Sequence, residues 1–143
     1  MQIPFFQRFA GPTVNKIVGA GNGPEKAAAE RIIQHALAGL PELLGAAVVQ
    51  LVSGQTLATY TSSREFNLSK VLGHNTEVVR QQQKALAALQ LGSEEQLEEI
   101  LITLNTQLHL LRLLPDGQRF LYVAVDCRDT NLAIAREVMR TCE

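Results

Sequence analysis

The sequence has no tryptophan, and aromatic residues make up only 5% of it. Platforms on which nucleobases stack are therefore not supplied. Charge of one sign is lacking as well: thirteen basic against fourteen acidic residues leave a net charge of -1, with no basic run. That excludes the electrostatic footprint of nucleic-acid binding. Two cysteines, Cys127 and Cys142, are too few for a disulfide framework, so a reduced, cytoplasmic chain is expected. No apolar run approaches the ~20 residues of a membrane span. The start, Met1-Gln2-Ile3-Pro4-Phe5-Phe6, lacks the basic region and long apolar core of a signal peptide.

Catalytic motifs are equally sparse. His35, His74 and His109 lie far apart and share no metal-ligand spacing with Cys, Asp or Glu. Each reads as a surface or hydrogen-bonded histidine. No Gly-x-Ser-x-Gly elbow occurs; Ser53 belongs to a hairpin turn, Asp116 to another turn, and Asp126 closes a strand. Ile17-Val18-Gly19-Ala20-Gly21 opens like a dinucleotide fingerprint, but Pro24 stands where the third glycine belongs. No Gly-Lys-Ser/Thr follows either, so Gly19 to Gly23 reads as a hinge. No catalytic residue, metal ligand or cofactor is assigned, and the chain is read as a non-enzyme.

What the sequence does have is a dense apolar stretch from Leu97 to Asp126. Strands are expected at Leu97–Leu104, Gln107–Leu114 and Arg119–Asp126, divided by Asn105-Thr106 and by Pro115-Asp116-Gly117. Both alternating sets are apolar: Phe120, Tyr122 and Ala124 oppose Leu121, Val123 and Val125. Leu108 and Leu110 likewise oppose Leu111 and Leu113. A half-solvated strand would alternate apolar with polar, so this sheet is covered on both faces. At 143 residues the chain is one domain with room for a core.

The remaining elements surround that meander. Residues 1–22 form an N-terminal extension in which Phe5, Phe6 and Phe9 make a short apolar helical face; it reads as a tail that docks back or on a neighbour, or as a segment for a partner or membrane surface. The domain proper is 23–143. Pro24 opens a helix whose apolar side carries Ile32, Ile33, Ala36, Leu37 and Leu40. A hairpin follows, Ala46–Val52 and Thr56–Thr61, turning at Ser53-Gly54. Ser62-x-x-Glu65 resembles a capping box ahead of a long helix that starts near Asn67 or Ser69 and runs to about Leu91. Its Leu68, Val71, Leu72, Val79, Leu86 and Leu89 recur at helical spacing. Asp129 or Thr130 is expected to cap a last helix with Leu132, Ala135, Val138 and Met139 inward. The fold class is α+β, an α-β-β-α-β-β-β-α sandwich.

Two surfaces stand out. The first strand of the meander has no proline and no charge in its core, so at a sheet edge it is a template for pairing. Ile100, Ile102 and Leu104, with Leu86 and Leu89 of the adjoining helix, are the expected dimer interface. In the long helix, Arg80 to Lys84 are five polar residues in a row. Positions three and four apart share a face, so Arg80, Gln83 and Lys84 form the expected partner-binding patch.

Leu43-Leu44-Gly45-Ala46-Ala47-Val48-Val49, followed by Ser53-Gly54-Gln55-Thr56-Leu57-Ala58, resembles the first hairpin of the roadblock (dynein light chain) family. Glu99-Ile100-Leu101-Ile102, Leu121-Tyr122-Val123-Ala124-Val125-Asp126 and Asn131-Leu132-Ala133-Ile134-Ala135-Arg136 resemble its C-terminal half. The likeness covers residues 24–143. It implies a five-stranded antiparallel sheet, a homodimer joined through the third strand and second helix, and no enzymatic site. It also implies a regulator or scaffold of a small Ras-like GTPase, since bacterial members of the MglB type act as GTPase-activating partners through their paired second helices. A light-chain-like structural adaptor, or a small-ligand or enzymatic domain on a similar sandwich, are the alternatives. The extension 1–22, and Gly73 within the docking helix, depart from the family pattern.

Overall fold

The computed structural model describes residues 16–63 and 66–143. The helical face expected at Phe5, Phe6 and Phe9, and Glu65 of the proposed capping box, lie outside the described residues. Strands are β1 (Val18–Gly19), β2 (Gly45–Gln50), β3 (Thr56–Thr61), β4 (Glu99–Thr103), β5 (Gln107–Leu113) and β6 (Arg119–Asp126). Helices are α1 (Gly23–Gly39), α2 (Leu68–Ala88) and α3 (Leu132–Arg140).

All strands join one antiparallel sheet in the order β1-β3-β2-β6-β5-β4. The β2–β3 hairpin sits on one side and the β4–β5–β6 meander on the other. The halves meet where β6 pairs with β2, Gly45 opposite Ala124 through Gln50 opposite Arg119. α2 carries the chain from β3 to the far edge, where β4 pairs with β5 alone among the described residues.

The double alternation in the meander follows from the helices. Leu108, Leu110, Leu121, Val123 and Val125 pack with α1 and α3, through Ile32, Ile33, Ala36, Ala135 and Met139. Leu111, Phe120, Tyr122 and Ala124 pack on the other face with Leu68, Leu72 and Val79 of α2. Phe120 through Val125 are all fully buried, the central strand of a three-layer sandwich. Each fully buried side chain of this size is worth about 1.5–3 kcal/mol of apolar transfer.

The described residues form six strands where the sequence indicates five. Val18 and Gly19 pair with Thr59 and Ala58 and cover the β3 edge. Two residues are too short to show a period. A Cβ at the second, Gly19, would lie 2.6 Å from Glu30 Oε2 and 2.8 Å from the Lys26 side chain of α1, so those two flexible side chains lie close over it. α3 is capped by Asn131, not by Asp129 or Thr130: the Asn131 side chain accepts from Ala133 N at 2.7 Å. Asp129 and Thr130 instead donate their N–H groups to the Asp126 carbonyl in the preceding turn. α2 ends at Ala88, three residues early, and Gln90 takes φ 53°.

Candidate functional site

The single helix α2 packs on one sheet face, chiefly over β2 and β3, so it decides much of what that face offers. Leu68, Leu72 and Val79 point into the core, while Val71 and Leu86 are half-buried. Leu89 is 63% exposed and Val78 36%. Val78 and Leu89 therefore leave apolar surface on α2 that the described residues do not cover, while Val71 packs against the core. Ile100 and Ile102 are half-buried on the same face, packed against the α2 core, and Leu104 is exposed beyond the end of β4. Glu99 anchors the strand on the opposite face. Its carboxylate takes Arg112 at 3.0 Å and Arg136 of α3 at 2.7 Å. The edge strand is thus held in place while its outer backbone groups face no neighbour among the described residues.

Two polar residues of α2, Asn75 and Thr76, are buried on the stripe that Leu68, Leu72 and Val79 define. Thr76 is satisfied locally, its hydroxyl donating to Leu72 O at 2.8 Å. Asn75 is 8% exposed and its Nδ2 has no hydrogen-bond partner among the described residues. An orphaned buried amide costs free energy, so it tends to mark strain or a missing neighbour.

The basic patch divides in two. Arg80 is committed within the chain: Nε and Nη2 donate to Leu51 O at 3.2 and 2.7 Å, and Nη2 also to Val52 O at 2.9 Å. It clamps α2 to the β2–β3 turn. Lys84 is exposed, and Gln83 is half-buried at the mouth of a groove. That groove, about 1220 Å³ and widely open, runs from the C-terminal end of α2 along residues 91–98 to the β5–β6 turn.

The histidines carry no common site. His35 lies on α1 with Nε2 2.8 Å from Thr141 Oγ1, and His74 is exposed on α2. His109 on β5 is half-buried, its ring edge-on to Phe66 and Tyr122. Its Nε2 lies 2.8 Å from Gln107 Oε1 and its Nδ1 3.1 Å from Tyr122 OH. A carboxamide oxygen only accepts, so the proton sits on Nε2 and Nδ1 accepts from the phenol. Burial pushes the Tyr122 pKa up, which keeps that phenol a donor, and holds His109 below the usual histidine value. Asp126 is held down to about 2 by the Arg128 guanidinium and backbone N–H. Both thiols are free; burial pushes Cys142 up to about 11. Among the described residues no group of His, Cys, Asp and Glu is arranged to hold a metal ion. No helix among the described residues is long and apolar enough to cross a membrane.

No protein-family model matches the chain, and no curated protein matches it in sequence. Solved structures do match. Myxococcus xanthus MglB is 14% identical with a TM-score of 0.64, covering 87% of this chain and 88% of that one. A structure described as MglB with a tetrameric arrangement is 16% identical with a TM-score of 0.65, covering 90% of each chain. The Roadblock/LC7 domain from Streptomyces avermitilis is 12% identical with a TM-score of 0.59, covering 82% of this chain and 89% of that one. Identity at this level carries the architecture alone. The chain has the bacterial roadblock fold of the MglB type.

Proposed function

We infer that this protein is a non-catalytic homodimeric regulator or scaffold that binds a small Ras-like GTPase. The observation that carries the reading is the unfinished α2 side of the sheet. The β4 edge lies open, its one charge, Glu99, neutralised by Arg112 and Arg136, and Val78 and Leu89 are exposed apolar residues on α2. A second copy placed by a two-fold axis would continue the sheet through β4 and bring the two α2 helices together. Ile100, Ile102, Leu104, Leu86 and Leu89 are the residues proposed for that contact. The helix pair would then present Gln83 and Lys84 twice, a positive patch for an acidic partner surface. Arg80 contributes its charge to that patch from a fixed position.

The experiment is capture of Ras-like GTPases from the source cell on the immobilised protein, with the lysate loaded with either GDP or a non-hydrolysable GTP analogue. A nucleotide-dependent GTPase is expected on the wild type. Lys84→Glu should weaken its capture through slower association at low salt, with folding unchanged. Equal capture by Lys84→Glu and wild type would remove this face from the contact, and no GTPase in either nucleotide state would leave the structural-adaptor reading.

A further inference from the structure

α2 carries a second periodic set of residues besides its core stripe. Val71, Asn75, Val78, Gln82, Ala85 and Leu89 recur at alternating spacings of four and three, the heptad pattern of a helix that pairs with another helix. Arg80 fixes the direction of this seam. Its guanidinium donates to Leu51 O and Val52 O in the β2–β3 turn, and Val78 and Gln82 each lie two residues away, about 200° round the helix. The seam therefore runs along the flank turned away from that turn and toward the meander. There Val71 packs against the same cluster as Ile100 and Ile102. Beyond Asn75 the seam is uncovered among the described residues, with Val78, Gln82, Ala85 and Leu89 all exposed.

Two features of the seam fit it to a second copy of itself. It holds no charged residue, so a symmetric contact brings no like charges together. One of its members is also incomplete. Asn75 belongs to both the core stripe and the seam, it is buried, and its Nδ2 has no acceptor among the described residues. The last torsion of an asparagine is soft, so the amide turns toward the seam at modest cost. The other polar residue of the seam, Gln82, is also a carboxamide, which both donates and accepts. We propose that Asn75 and Gln82 set the register of a helix pair formed by the α2 helices of two copies of this chain, the Asn75 amide donating to a carboxamide oxygen of the second copy. The proposal rests on the homodimer reading and goes beyond it. Val71, Val78, Ala85 and Leu89 hold two helices together in several registers, whereas every register that leaves a buried amide without its acceptor is costly.

The test is the distance between two spin labels, one on each copy, read by pulsed electron paramagnetic resonance on the full chain. The label goes on Lys84→Cys, an exposed position off the seam, with Cys127→Ser removing the exposed native thiol. This parent should give one narrow distance. Asn75→Leu keeps the branched skeleton without the polar atoms. It should leave the dimer intact but broaden or split the distance distribution by at least ~2-fold in width, because an apolar seam slides between registers. Gln82→Leu, at an exposed position, should broaden it in the same way and serves if Asn75→Leu does not fold. Gln82→Lys should weaken the dimer by at least ~10-fold in light scattering on dilution, since each copy brings a charge into the seam. A dimer whose distance stays single and narrow in both leucine variants would overturn the register role and leave the homodimer standing. An unchanged dimer in Gln82→Lys would take the seam out of the contact and overturn it too. A parent that stays monomeric would overturn both the proposal and the homodimer.

Discussion

His109 shows how much of a residue's role depends on its neighbours. The sequence places it on a strand and gives it a hydrogen-bonding part, which is correct, but not its partners. Those are Gln107, two residues along β5, and Tyr122, diagonally across on β6, with Phe66 closing the side. Burial lowers its pKa from the ordinary value of 6.5. The unfolded chain therefore binds a proton at higher pH than the folded one, and stability falls as pH drops through about 6.5 toward the folded value. Above pH 7 the term is fully present as stability. Thermal melts from pH 7.5 to 5.5 should show the wild type losing Tm, with a shallower loss for His109→Gln, which keeps an acceptor but does not titrate. Parallel pH profiles for the two would rule His109 out as the source.

At the scale of elements, the strands of the meander were legible because burial on both faces leaves a near-continuous apolar run, unmistakable in Phe120 to Val125. The turn at Pro115-Asp116-Gly117 was legible from its residue types, and Asp116 indeed accepts from Gln118 N at 2.8 Å. α2 was only half readable. Its period gives Leu68, Leu72 and Val79, and Asn75 and Thr76 are buried because they fall on that same stripe, although their polar side chains do not announce it. Nor does the sequence show that Arg80 spends its donors on Leu51 and Val52, 29 and 28 residues away. The two cations of the expected patch therefore separate on mutation. Arg80→Met removes charge-assisted bonds to two carbonyls and should cost about 1–3 kcal/mol, lowering Tm by about 2–4 °C for each kcal/mol lost. Lys84→Glu should cost within about 0.5 kcal/mol. Chemical denaturation of both variants checks this, and equal midpoints would mean the Arg80 clamp carries no stability.

At the scale of the whole molecule, the two sheet edges are treated differently. The β3 edge is capped by Val18–Gly19, whereas the β4 edge is left open with Ile100 and Ile102 beneath it. Capping one edge and not the other directs association to a single place, since an open edge attracts any strand it meets. The open strand was legible in the apolar run Ile100-Leu101-Ile102, but the cap was not, because two residues carry no period. A stable dimer through β4 and α2 should bury roughly 2,000 Å² or more in total. Light scattering at micromolar concentration should then report twice the 15.7 kDa of one chain. Ile102→Lys places an ammonium on a half-buried strand position and should abolish the dimer or the fold. Leu89→Glu separates those outcomes. Leu89 is 63% exposed in the single chain, so its substitution should leave folding within about 0.5 kcal/mol. In a dimer the same position would meet its symmetry mate, and two carboxylates would face each other across an apolar seam. The expected result is a chain with wild-type circular dichroism that has become a monomer. A Leu89→Glu protein that stays dimeric would take α2 out of the interface and leave the β4 edge to hold the two copies alone, and a wild type that scatters as a monomer would end the dimer altogether.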